Sequence, residues 1–120
     1  MAHILVIDDD STQRRIIREI LNVNGHDVTE ADSGHEGIRL QSEHDFDLVV
    51  TDILMPGMDG IETVRELVRL YPHIKILAIS AAKDGYLEAA EKFGAMAKLE
   101  KPIEPNELAD CVAACLRREH

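Results

Sequence analysis

Leu48-Val49-Val50-Thr51-Asp52-Ile53-Leu54-Met55-Pro56-Gly57-Met58-Asp59-Gly60 is the stretch on which the fold turns. Leu48 to Val50 are apolar and β-prone without alternation, the pattern of a strand covered on both faces of a parallel sheet. Met55-Pro56-Gly57 then breaks the chain. Asp59-Gly60-Ile61-Glu62 reads as an N-cap with a carboxylate three residues on, opening a helix. Asp52 therefore falls at the carboxyl end of an interior strand, where open α/β sheets place their ligands. Taken alone, it could equally be an aspartate that caps a turn.

Working outward toward the N-terminus, His3-Ile4-Leu5-Val6-Ile7 is a second continuous apolar strand, and it runs into Asp8-Asp9-Asp10. Asp10 or Ser11 can cap the helix that follows, with Ile16, Ile17, Ile20 and Leu21 as its core stripe and Asn24-Gly25 as its end. Asp27 to Ala31 alternates, as a strand nearer the sheet edge does, and Ser33-Gly34-His35-Glu36 is a capping box for a helix to about Glu43. Toward the C-terminus, Ile61, Val64, Leu67 and Val68 give the next helix its apolar side, and Tyr71-Pro72 stops it. Lys75 to Ser80 is a fourth strand, ending in a hydroxyl. A loop at Ala81 to Gly85 leads to a short helix through Phe93, terminated by Gly94. Ala95 to Leu99 is a weak fifth strand before Glu100-Lys101-Pro102, and Glu104-Pro105 opens the last helix. Its buried side is Leu108, Cys111, Val112, Cys115 and Leu116. Five β-α units without a repeat or linker predict a parallel five-stranded sheet with helices on both faces, joined by right-handed crossovers.

Composition narrows the function. The 120 residues fit one domain, 1–120. A formal charge of -10, from 13 Lys and Arg against 23 Asp and Glu, repels phosphate backbones and argues against direct nucleic-acid binding. No apolar run reaches the length of a membrane span, and Met-Ala-His ahead of the first strand is no signal peptide, so a cytoplasmic chain is expected. Cys111 and Cys115 share one helix face and read as core; a zinc site with His120 lacks a fourth ligand. The six histidines are scattered, with no shared site.

The strand ends carry the chemistry. The first strand delivers Asp8 and Asp9, the third Asp52, the fourth Ser80 and the fifth Lys101, all above one edge of a doubly wound sheet. Carboxylates crowded this way raise one another's pKa, and a hard divalent cation such as Mg²⁺, content with a few oxygen ligands and its own waters, removes that cost. One carboxylate can then act as nucleophile toward a phosphoryl group, with Lys101 and the Ser80 hydroxyl binding the transferred oxygens.

Asp8-Asp9, Asp52 with Met55-Pro56-Gly57-Met58-Asp59-Gly60, Ser80-Ala81 and Lys101-Pro102, in this order, resemble the response-regulator receiver domain of two-component signalling, the chemotaxis-regulator type among them. The resemblance spans essentially the whole chain. It implies a flavodoxin-like fold of strand order 2-1-3-4-5, with Asp52 as phospho-acceptor and Mg²⁺ held by Asp9, Asp52 and the Leu54 backbone carbonyl. Asp8 would act there through a metal-bound water, Ser80 as the switch hydroxyl and Lys101 as the phosphoryl-binding cation. Such a domain is no conventional turnover enzyme; it catalyses its own phosphorylation and dephosphorylation. The implied partners are a sensor histidine kinase or phosphotransfer protein, and a downstream protein or fused output domain. With no output domain after Arg118, either a stand-alone regulator or a receiver cut from a longer chain is expected, as a monomer or a phosphorylation-dependent dimer. Arg14, Arg15 and Ile17, beside the acidic pocket, are candidates for kinase docking.

Some positions depart from the family. Lys98 stands where an aromatic usually precedes the lysine by three residues, so any switch rests on another group, such as Ser80. Ile103 also replaces a common aromatic. Leu54 and Ala82 offer no acid or amide to position an attacking water, which predicts slow-to-moderate self-dephosphorylation. Two other readings compete. Asp8-Asp9-Asp10-Ser11-Thr12 also fits the nucleophile motif of haloacid-dehalogenase-like phosphatases, with Asp8 as nucleophile and Asp10 as general acid, though Asp52 then has no role. A degenerate receiver that binds partners without phosphorylation is the other.

Overall fold

The computed structural model describes residues 2–54, 60–81 and 85–118. The Met55-Pro56-Gly57 turn, the Asp59 cap, Ala82 and His120 lie outside the described residues. In chain order the elements are β1 (His3–Ile7), α1 (Ser11–Val23), β2 (Asp27–Ala31), α2 (Gly34–Glu43) and β3 (Leu48–Asp52). They continue as α3 (Gly60–Leu70), β4 (Ile76–Ser80), α4 (Tyr86–Lys92), β5 (Ala97–Glu100) and α5 (Pro105–Arg117). The five strands are all parallel, in the order β2-β1-β3-β4-β5. The expected fold is therefore the one observed.

The unbroken apolar runs are explained by two cores, one on each face of the sheet. Leu5, Ile7, Val49, Ile76 and Ala78 pack with Val64 and Leu67 of α3 and with Leu87 and Ala90 of α4. Their neighbours Ile4, Val6, Leu48, Val50, Leu77 and Ile79 pack with Ile17 and Leu21 of α1 and with Leu108, Val112 and Cys115 of α5. Alternate residues of each strand thus serve opposite faces, so every position must be apolar. Both cysteines are free thiols; Cys115 is buried and Cys111 packs against the same cluster.

Helix ends follow the sequence closely, with informative exceptions. Of the two cap candidates, Asp10 caps α1: its Oδ1 accepts from the N–H groups of Thr12 at 2.9 Å and Gln13 at 3.3 Å. Ser33 caps α2 by accepting from the Glu36 N–H at 3.1 Å, but the Glu36 carboxylate pairs with Arg39, leaving only half of a capping box. Ile16, expected in the α1 stripe, is 43% exposed, because the buried seam narrows to Ile17 and Leu21. The third strand extends past Val50 to take in Asp52 itself, and β5 starts at Ala97 rather than Ala95. Among the described residues, no helix is long and apolar enough to cross a membrane.

Candidate functional site

The rim is built by strands that end at one level. Asp8 follows β1 directly, Asp52 closes β3, Ser80 closes β4, and Lys101 follows β5. Backbone bonds hold each one to the neighbouring strand. The Asp8 N–H donates to the Ala31 carbonyl at 3.1 Å, the Ile53 N–H to Ile79 at 3.0 Å, and the Lys101 N–H to Ser80 at 2.9 Å. Gly60 completes the β3 end. Its N–H donates to the Ile53 carbonyl at 2.9 Å, and a Cβ there would lie 2.2 Å from Ile53 Cα and 2.4 Å from the Asp52 carbonyl oxygen. Only glycine permits that approach.

Asp8, Asp9 and Asp52 each bring a carboxylate oxygen within 4.8 Å of the others. Lys101 Nζ lies 3.2 Å from Asp52 Oδ2, and the Leu54 N–H donates to Asp52 Oδ1 at 3.3 Å. Asp8 Oδ1 accepts from the Asp10 N–H at 2.9 Å. Burial raises the Asp8 carboxyl from 3.8 to about 6; the Asp10 N–H and Lys101 oppose the rise, while the Asp52 and Asp9 carboxylates add to it. Ser80 is buried one residue past Ile79, the register partner of Asp52, and among the described residues its hydroxyl oxygen has no hydrogen-bond partner. A buried hydroxyl left unpaired carries a cost that a bound oxyanion would remove.

The donor set fits a hard divalent cation. Three carboxylates converge, one of them fully buried and resisting ionisation, and all offer oxygen. Asp8, Asp9 and Asp52 are the residues that would hold Mg²⁺. Among the described residues no other group of three His, Cys, Asp or Glu side chains comes together in this way.

Other expectations fare differently. Ile17 is buried at 2% exposure in the α1 seam and cannot take part in docking. Arg14 turns inward: its Nη1 donates to the Asp8 carbonyl at 2.6 Å and its Nε to Glu30 at 3.0 Å. Arg15, with its side chain 80% exposed, is the member of that trio left on the surface. Lys98 pairs with Glu91 of α4 at 3.0 Å, so the position that lacks the aromatic is tied across to the neighbouring helix. Asp10, the general acid of the phosphatase reading, is occupied as the α1 cap. The Arg14–Glu30 pairing was missed in the sequence. The only signal for it was a charged residue at the inner end of an alternating edge strand, opposite an arginine one helical turn past Asp10.

Residues 4–113 match the family model for the response regulator receiver domain. The chemotaxis protein CheY of Thermotoga maritima is 31% identical, over 91% of this chain and 92% of that protein. The response regulator protein FleR of Pseudomonas aeruginosa is 34% identical over 93% of this chain, which spans 24% of FleR. This chain spans about a quarter to a half of the length of several other curated relatives it matches. A response regulator receiver domain protein from Clostridium thermocellum superposes with a TM-score of 0.92 at 33% identity, covering 98% of this chain and 96% of its own.

Proposed function

Because the chain belongs to the response regulator receiver domain family of two-component signalling, we propose that it accepts a phosphoryl group on Asp52 and thereby switches a binding surface. The supporting observation is the rim itself: three converging carboxylates, the Lys101 ammonium 3.2 Å from Asp52, and a buried Ser80 hydroxyl without a partner among the described residues.

The residues divide the work. An Asp52 carboxylate oxygen attacks phosphorus in line, and the P–N bond of a phosphohistidine on a sensor kinase or phosphotransfer protein breaks as the new P–O bond forms. The imidazole leaves with the electron pair. Lys101 and Ser80 then hold the oxygens of the acyl phosphate. Asp9, Asp52 and the Leu54 carbonyl, with Asp8 behind them, would hold Mg²⁺, which would supply charge neutralisation for the carboxylates and the phosphoryl oxygens. Ser80 and Lys101 reach those oxygens by drawing in the segments that lead to α4 and α5, so the surface shared by these helices carries the output. A downstream protein or a fused output domain reads it in the cytoplasm, with or without dimerisation.

Intact-mass measurement after incubation with acetyl phosphate and Mg²⁺ tests this reading. A gain of about 80 Da, abolished by Asp52→Asn and by EDTA, is the expected result. No adduct under any condition would leave a phosphorylation-independent binding module in its place.

A further inference from the structure

We infer that Arg14 is a positioning residue for the acidic pair, fixing the Asp8–Asp9 peptide through its carbonyl so that both carboxylates are preset for a divalent cation. This inference rests on the metal-dependent reading above. Asp8 lies one residue past the last register pair of β1, and among the described residues no backbone N–H outside the regular elements donates to its carbonyl. Arg14 Nη1 occupies that place at 2.6 Å, while the Asp8 N–H is bound to the Ala31 carbonyl at 3.1 Å. Both backbone polar groups of Asp8 are thereby held. The plane of the peptide that links Asp8 to Asp9 sets where each carboxylate projects.

Arg14 is itself held. Its Nε donates to Glu30 Oε1 at 3.0 Å, and the other Glu30 oxygen accepts from Arg18 Nη1 at 2.7 Å. Glu30 lies on β2 in register with Val6 of β1, so the guanidinium spans two strands and the first turns of α1. The side chains of Arg14 and Glu30 are 17% and 25% exposed, which shields the pair from solvent. Glu30 shares its one negative charge between Arg14 and Arg18, and by taking Arg14 Nε it leaves Nη1 directed at the Asp8 carbonyl rather than at a carboxylate of the acidic loop. The planar fork of arginine makes both bonds at fixed angles, whereas a lysine ammonium is a single mobile point. Groups placed behind metal ligands in this way commonly change metal affinity by 10–100-fold.

The test is a Mn²⁺ titration of the whole chain followed by electron paramagnetic resonance, with Mg²⁺ competition, alongside thermal unfolding in EDTA. Arg14→Ala should raise the Mn²⁺ Kd by about tenfold, Arg14→Lys by less, and Glu30→Gln by severalfold. The Arg14→Ala, Glu30→Gln double variant should bind within about twofold of Arg14→Ala, because both changes act through one guanidinium. A role in stability alone would lower the unfolding temperature and leave Kd unmoved. Mn²⁺ binding by Arg14→Ala within about twofold of the parent, or losses that add in the double variant, would overturn the inference while the receiver reading stands. Should Arg14→Ala fail to fold, Glu30→Gln decides alone, parent-like binding overturning the inference. A parent chain that binds no Mn²⁺ would remove both.

Discussion

Lys101 Nζ stands 3.2 Å from Asp52 Oδ2, so the cation delivered by β5 already touches the carboxylate delivered by β3, with the end of β4 between them. The ammonium is thus in place before a phosphoryl group arrives. It needs little reorganisation to follow charge from the carboxylate to the transferred oxygens.

Replacing Lys101 with Met keeps the stem and removes the charge. Phosphorylation of Asp52 by acetyl phosphate should slow by on the order of 10²-fold, the usual effect of deleting one preorganised donor. Stopped time courses read by intact mass provide the check, and a rate within about threefold of the parent would count against Lys101 as the phosphoryl-binding cation.

Asp8 sets a pH dependence in metal-free protein. Its folded pKa of about 6 lies above the ordinary 3.8, so between these values the folded chain binds the extra proton. Its contribution is therefore fully present below pH 4 and is lost as pH rises through 6, an amount of up to about 3 kcal/mol. Urea unfolding in EDTA should show the parent losing stability from about pH 4 to about pH 6.5 by this route. Asp8→Asn should flatten that slope and unfold at higher urea at pH 7. An unchanged slope would refute the assignment.

Gly60→Ala places a methyl 2.2 Å from Ile53 Cα and 2.4 Å from the Asp52 carbonyl oxygen, both backbone atoms that cannot swing aside. The β3 end must shift, at a cost of about 1–3 kcal/mol, and Asp52 must move with it. Chemical denaturation should show the loss, and acetyl phosphate labelling should slow in the fraction that remains folded.

The acyl phosphate should persist for minutes or longer in Mg²⁺. Leu54, two residues past Asp52, is an exposed apolar side chain with nothing to hold an attacking water. Leu54→Asn supplies an amide there and should shorten the half-life severalfold, followed by loss of the phosphoryl mass. A parent half-life of a few seconds would mean that another group positions the water.

Much of this was legible in advance, for one reason. A doubly wound parallel sheet demands unbroken apolar strands, and His3 to Ile7, Leu48 to Val50 and Lys75 to Ser80 announced themselves by having nothing else to be. Asp8 directly follows the first of those runs, Asp52 stands two residues past the second, and Ser80 closes the third, whereas Lys101 rests on the weaker fifth strand and its Lys-Pro pair. What was not legible depended on side chains reaching across elements. Arg14 looked like a surface cation because its spacing put it outside the α1 seam, yet Glu30 and the Asp8 carbonyl draw it inward. Ile16 looked buried because its neighbour Ile17 is. Lys98 looked like a lone substitution until α4 supplied Glu91.

The register of the sheet has a further consequence. Asp52 pairs with Ile79 and Ser80 with Glu100, so the reactive groups hang from a hydrogen-bonded lattice whose strand spacing is about 4.8 Å. Such a lattice works as a ruler with fixed graduations. A strand cannot slide by a fraction, and sliding by one whole residue would move Val49, Ile76 and their neighbours from the core on one face to the differently shaped core on the other. Mutation can therefore tune what stands on each graduation, and the turns between them, but it cannot drift the graduations apart. Lineages built on this frame would inherit the spacing of the chemistry unaltered while their loops change.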